Sequence, residues 1–231
     1  MTVVTKVLSK QGIWRVGRAP DPLTVPQPLT LQELGNSNLG NRFDSPTGTY
    51  KVLYFATSLG GCFGETLARF RPDLNIRTKI EKEWEELGFM KPGHVPRDWR
   101  QRRVAVRIGC SKQEEASQFV DVEHLQTREL RRSELTQILT TYDCEDFDVA
   151  TVRGGDRRVT RQISQWVYDQ VSPKTGDPLY AGIRYLSRLN SEWECWAIFD
   201  RTAIEILEQK PILPQNEELE EVAKTYKIVI H

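Results

Sequence analysis

Apolar and polar residues alternate with period two through Arg103-Val104-Ala105-Val106-Arg107-Ile108, a pattern that predicts a half-buried strand. Gly12-Ile13-Trp14-Arg15-Val16 predicts a short opening strand. Tyr50-Lys51-Val52-Leu53-Tyr54-Phe55-Ala56, rich in β-branched and aromatic residues, predicts another. From Gly61 the period changes, and Phe63, Glu65, Thr66, Leu67 and Phe70 fit a short helix with Glu65 in its first turns. Leu125, Leu130, Leu135 and Leu139 predict a helix from Val122 to Thr141, on which Glu129, Arg131, Arg132 and Glu134 form a solvated face. Phe147-Asp148-Val149-Ala150-Thr151-Val152 reads as a strand ahead of a turn at Gly154-Gly155. Val159, Ile163, Trp166, Val167 and Gln170 then mark a helix that Pro173 and Gly176 end. Tyr180 to Tyr185, Cys195 to Phe199 and Lys227-Ile228-Val229-Ile230 are three further strand candidates.

Between these elements, Pro20, Pro22, Pro26 and Pro28 forbid a continuous strand ladder, so residues 19–40 are expected as a surface loop. Arg71 to Arg103 is strongly charged, with Pro72, Pro92 and Pro96. Its middle, Lys79 to Leu87, fits an exposed helix held by Glu and Lys pairs. Irregularly spaced strands with several helices and no βαβ rhythm predict an α+β fold. A single domain over residues 1–231 is expected, with a charged insertion at about 71–103 and a C-terminal extension after about 200 that forms a hairpin or a helix and strand.

Composition narrows the function classes. The 231 residues are 39% hydrophobic, and 32 basic residues balance 32 acidic ones, so no long-range field gathers nucleic acid. Met1-Thr2-Val3-Val4-Thr5-Lys6 lacks a secretory apolar core, and no run approaches the roughly 20 apolar residues of a membrane span, so a cytoplasmic chain without membrane contact is expected. Cys62, Cys110, Cys144 and Cys195 are scattered, without Cys-x-x-Cys or a neighbouring histidine pair. Reduced, mostly buried thiols are therefore expected, and neither a metal site nor a disulfide framework.

The chemistry-bearing residues stand at element edges: Arg42 in Asn41-Arg42-Phe43-Asp44, Tyr54 in Leu53-Tyr54-Phe55-Ala56, Glu65 in Cys62-Phe63-Gly64-Glu65-Thr66, and Ser187 in Gly182-Ile183-Arg184-Tyr185-Leu186-Ser187-Arg188. With Trp14-Arg15-Val16 before them and Ala197-Ile198-Phe199-Asp200 after, the set resembles the RES domain family, named for an arginine, a glutamate and a serine. Arg42, Glu65 and Ser187 are the matching positions. The resemblance spans roughly residues 13 to 200, and within it residues 71 to 146 carry no matching motif. It implies a fold similar to that of ADP-ribosyltransferases, with mixed, largely antiparallel sheets and flanking helices. It also implies degradation of NAD, as substrate and not as cofactor, at the nicotinamide–ribose bond, with inorganic phosphate or water as acceptor. Members known as toxins are paired with a helix-turn-helix antitoxin.

That chemistry has a physical logic in these residues. Breaking the bond to a cationic nicotinamide spreads positive charge over the ribose, which a fixed carboxylate, Glu65, stabilises more in the transition state than in the ground state. Nicotinamide leaves neutral, so no general acid is required. Arg15 and Arg42 offer planar, permanently charged forks for a pyrophosphate. Tyr54 and Tyr185 can stack on a flat ring or donate a hydroxyl, and Ser187 suits a hydrogen bond to nicotinamide or phosphate. None of the three histidines lies in a motif that would activate that serine. Glu192-Trp193-Glu194 resembles the Glu-x-Glu pair of ADP-ribosyltransferases, which keeps transfer to a macromolecule open. A non-catalytic nucleotide-binding or interaction module is the other alternative. A homodimer is left open, with the tryptophans of the insertion as the expected source of its apolar surface.

Overall fold

The computed structural model describes residues 3–25, 30–72, 91–111, 117–142 and 144–231. The expected helix at Lys79 to Leu87, with Trp84, lies outside them, as do Pro26, Pro28 and the side chains of Leu130, Arg131, Arg132 and Glu134. The fold is α+β. Its main element is an eight-stranded sheet in the order β1-β6-β7-β8-β3-β2-β5-β9. These strands are β1 (Thr5–Lys6), β2 (Ile13–Arg18), β3 (Val52–Ala56), β5 (Arg103–Cys110), β6 (Phe119–Asp121), β7 (Gly182–Leu186), β8 (Glu194–Phe199) and β9 (Ile204–Pro211). All neighbours pair antiparallel except β6 with β7. A second, two-stranded parallel pair joins β4 (His94–Val95) to β10 (Val229–Ile230).

Side-chain alternation gives the sheet two buried faces. Val52, Ala56, Cys195, Ala197, Phe199, Ile183 and Tyr185 point into the larger core, under the helices. Leu53, Phe55, Trp196, Ile198, Val106, Ile108 and Ile13 form the smaller core on the other face. The helices on the larger core include α2 (Leu59–Leu67), α4 (Leu125–Thr141), α6 (Arg157–Asp169) and α7 (Glu217–Tyr226). Shorter ones are α1 (Leu31–Leu34), α3 (Arg97–Gln101) and α5 (Val149–Arg153). Among the described residues no helix is long and apolar enough to cross a membrane.

Three local expectations are corrected, each for a capping or packing reason. The strand expected at Phe147 to Val152 is helix α5, because the Asp148 carboxylate accepts the Thr151 backbone N–H at 2.7 Å and nucleates a turn that β-branched propensity disfavours. Helix α2 begins at Leu59, where the Ser58 hydroxyl accepts the Gly61 N–H, so Glu65 falls in its last turn and not its first. Helix α4 begins at Leu125 with His124 as its cap. Leu125 is 61% exposed, while Leu135 and Leu139 are buried as their spacing requires. Beyond Asp200, β9 pairs with β5 along its whole length, with a bulge beside Arg107 and Ile108, and α7 packs on α2.

The segment expected as surface loop contains α1 and ends in a stretch, Leu34 to Asn41, that is held from below. Arg161 of α6 has no exposed surface, and its guanidinium donates to the carbonyls of Leu34, Asn36, Leu39 and Asn41. Arg157, one turn earlier, donates to the carbonyls of Asn38 and Gly40, and its own N–H bonds the Ser37 carbonyl. Chain with no ladder of its own thereby has its acceptors satisfied by two side chains of one helix. Arg161→Leu is expected to lower unfolding stability by about 3–5 kcal/mol, because it strands several buried acceptors at once. Urea denaturation measures this, and a loss under about 1 kcal/mol would contradict the role.

Candidate active site

The sheet opens where β2 and β3 part. Their register is confined to Trp14 opposite Ala56, after which the strands diverge. A cavity of about 890 Å³ fills the opening, lined by β2 and β3 on its floor and by α2 and the ends of α6 and β7 on its walls. Arg15 sits at the split. Its Nε donates to the Pro22 carbonyl at 2.9 Å and one terminal nitrogen to the Tyr54 carbonyl at 3.0 Å, replacing the ladder bond that a paired strand would supply. Burial lowers its pKa.

Arg42 lines the same cavity from the loop above Arg161. Its guanidinium lies 4.6 Å over the Tyr185 ring and donates to the Val152 carbonyl at 3.2 Å and the Leu186 carbonyl at 3.4 Å. Tyr54 fixes this loop from the other side, its hydroxyl donating to Asp44 Oδ1 at 2.8 Å and accepting the Phe43 N–H at 3.1 Å. Asp44 in turn accepts the Asn41 N–H at 2.6 Å. The Tyr54 hydroxyl is thus committed to holding Arg42's loop, while the residue itself still borders the cavity.

Glu65 projects from the last turn of α2 into the cavity and is exposed there. Ser187, buried just past the end of β7, donates its hydroxyl to Glu65 Oε1 and accepts the Leu189 N–H at 3.0 Å. The hydroxyl is therefore oriented with its proton toward the carboxylate. The end of β7 is itself anchored: Glu123 Oε1 accepts the Leu186 N–H at 3.1 Å, and Arg153 pairs with Glu123 at 3.1 Å while reaching Ser191 at 3.0 Å. Arg42, Tyr54, Glu65, Tyr185 and Arg15 all line one hollow, with Ser187 bonded to Glu65 at its edge.

Four further arginines, Arg69, Arg71, Arg157 and Arg188, also line it, of which only Arg188 falls within a motif segment. The pKa of Arg157 is lowered by burial and then by neighbouring Arg188 and Arg161, so cationic groups are crowded on this wall. Gly155-Asp156-Arg157 and Ser187-Arg188 carry no periodic signal. Only the helix start at Asp156, whose carboxylate accepts the Arg158 N–H at 2.9 Å, was open to sequence reasoning. The Glu192 and Glu194 pair is not assembled here: Glu194 is tied to Arg184 at 2.7 Å and to Thr57 at 2.7 Å, and neither glutamate lines the cavity. Among the described residues no group of three His, Cys, Asp or Glu could hold a metal ion.

A model of the RES domain matches residues 13–219, and the chain belongs to that family. No curated protein matches. Among solved structures the chain is similar to one in the crystal structure of the M. tuberculosis MbcT-MbcA toxin-antitoxin complex, at 10% identity and a TM-score of 0.47, covering 95% of this chain and 92% of that one.

The buried titratable groups around the cavity make stability depend on alkaline pH. Burial pushes the Cys62 thiol from its ordinary 9.0 up to about 12 and raises Tyr54, Tyr185 and Cys195 in the same direction. The folded state holds these protons more tightly than the unfolded one, so their contribution is complete below pH 9 and is lost as pH rises toward 12. Melting temperature is expected to fall steadily across that window, less steeply in Cys62→Ala; a flat or rising profile would overturn the assignment. At pH 8 Cys62 and Cys195 are expected to resist thiol reagents until the protein unfolds.

Proposed function

We propose that the cavity binds NAD and that the protein cleaves its nicotinamide–ribose bond, passing ADP-ribose to inorganic phosphate or water. The observation that carries this is a single carboxylate, Glu65, held by the Ser187 hydroxyl inside an arginine-lined hollow of dinucleotide size. Family membership and the resemblance of Arg42, Glu65 and Ser187 to the three naming residues support the same reading.

In this mechanism the Glu65 carboxylate faces the ribose as nicotinamide departs, offsetting the positive charge that develops there and accepting ribose hydroxyl protons in hydrogen bonds. Ser187 fixes the carboxylate so that it need not reorganise during the reaction. Arg42, braced on Tyr185, holds one phosphate, and Arg157 and Arg188 supply further positive charge on the same wall. Tyr185 gives the nicotinamide end a flat, apolar neighbour, and Arg15 keeps the floor open. The reaction needs no proton on the leaving group. In the cell the protein acts as the toxin of a pair, and a helix-turn-helix antitoxin restrains it by covering the mouth of the cavity.

Incubating the protein with NAD, with and without phosphate, and following free nicotinamide chromatographically tests the reaction. Phosphorolysis yields a phosphorylated ADP-ribose, hydrolysis yields ADP-ribose, and no nicotinamide release would end the proposal. Glu65→Gln is expected to lower kcat by roughly 10²–10³-fold without unfolding the protein, and full activity in that variant would remove Glu65 from the chemistry. Arg42→Lys is expected to raise KM by roughly tenfold or more, since a point charge does not replace a planar fork.

A further inference from the structure

Helix α2 is a poor helix by composition: three of its nine residues, Leu-Gly-Gly-Cys-Phe-Gly-Glu-Thr-Leu, are glycine, each costing about 1 kcal/mol relative to alanine. Yet its last turn must aim Glu65. Something outside the helix has to hold that turn, and a cluster behind the Glu65–Ser187 contact does so. Gly64, immediately before Glu65, lies so close under the Trp193 ring that a Cβ there would fall 2.1 Å from its Cη2 and Cζ3 atoms. The Trp193 carbonyl accepts the Ser187 N–H at 2.9 Å, so one residue contacts the backbone beside the carboxylate and the backbone of its hydroxyl donor. Tyr226, the last residue of α7, completes the cluster. Its hydroxyl donates to the Gly64 carbonyl at 3.2 Å, and its ring meets Trp193 edge-on with centroids 6.4 Å apart. The Arg71 guanidinium lies over that ring, 4.9 Å from its centroid. The Gly64 carbonyl also accepts the helical N–H of Ala68, so the phenol adds a second donor to the turn's own bond.

We propose that Tyr226 is a positioning residue for the site: through Gly64 and Trp193 it sets the angle at which Glu65 meets Ser187. Tyr226 lies beyond the region that matches the family, 13–219, so α7 completes a site whose naming residues all lie upstream of it. The inference rests on the reading of Glu65 as the carboxylate that faces the ribose, but its geometric part stands without any substrate.

Tyr226→Phe removes one oxygen and keeps the ring, so the fold is retained and the effect is local. Amide hydrogen exchange at Ala68, whose N–H shares the Gly64 carbonyl, is expected to accelerate in the variant, and a crystal structure is expected to show the Glu65 carboxylate displaced from the Ser187 hydroxyl. With NAD, kcat is expected to fall roughly tenfold with KM unchanged, between the loss of one neutral hydrogen bond and the misplacement of a catalytic group. In a Glu65→Gln background the same substitution is expected to have no further effect on turnover, whereas independent effects would multiply. Unchanged exchange and an unmoved carboxylate, or multiplying effects, would overturn the role of Tyr226. If the wild-type protein releases no nicotinamide, the proposed reaction falls, while exchange and crystallography still decide whether Tyr226 positions Glu65.

Discussion

A buried guanidinium without exposed surface carries much of this architecture. Arg161 takes four carbonyls from a stretch of chain that forms no ladder, and that stretch leads directly into Arg42. Burying a cation is costly unless every N–H finds an acceptor, and a loop rich in turning carbonyls is an unusually good acceptor for a five-donor fork. The two needs meet: the loop supplies the acceptors that the charge requires, and the charge supplies the donors that the loop lacks. Tyr54 and Asp44 brace the same loop from the sheet side, so Arg42 rests on a platform fixed from two directions.

The rest of the cavity follows the same scheme of side chains standing in for absent secondary structure. Arg15 bonds a carbonyl of β3 where β2 has parted from it, Glu123 caps the end of β7, and Tyr226 doubles the bond on a glycine-rich helix. Residues in contact with the hollow are therefore held mainly by other polar residues one step further out. Hydrogen-bond networks of this kind act as units, so removal of one member is felt by the others.

How much of this was legible in the sequence depended on whether a residue's role was periodic. The strands at Val52 to Ala56 and Cys195 to Phe199 are apparent as short unbroken apolar runs because both faces of the sheet are buried there, and Arg103 to Ile108 from its alternation. Arg42, Glu65 and Ser187 were recognisable through short motifs. Asp148 was not, because Val149 and Val152 have strand propensity, and the single hydrogen bond that outweighs it depends on where a carboxylate falls. Leu125 fits the helical spacing yet faces outward, since the spacing gives a face and not the position of the neighbour that would cover it. Arg157, Arg161 and Tyr226 act across distances of about 120 to 160 residues, which no local pattern encodes.

The parting of β2 and β3 has a further consequence. A hollow made by withholding a strand pairing, and not by emptying space between side chains, is bounded along its floor by main chain. Its width is therefore set by the separation of two ribbons, each anchored in the hydrophobic layers on the two faces of the sheet.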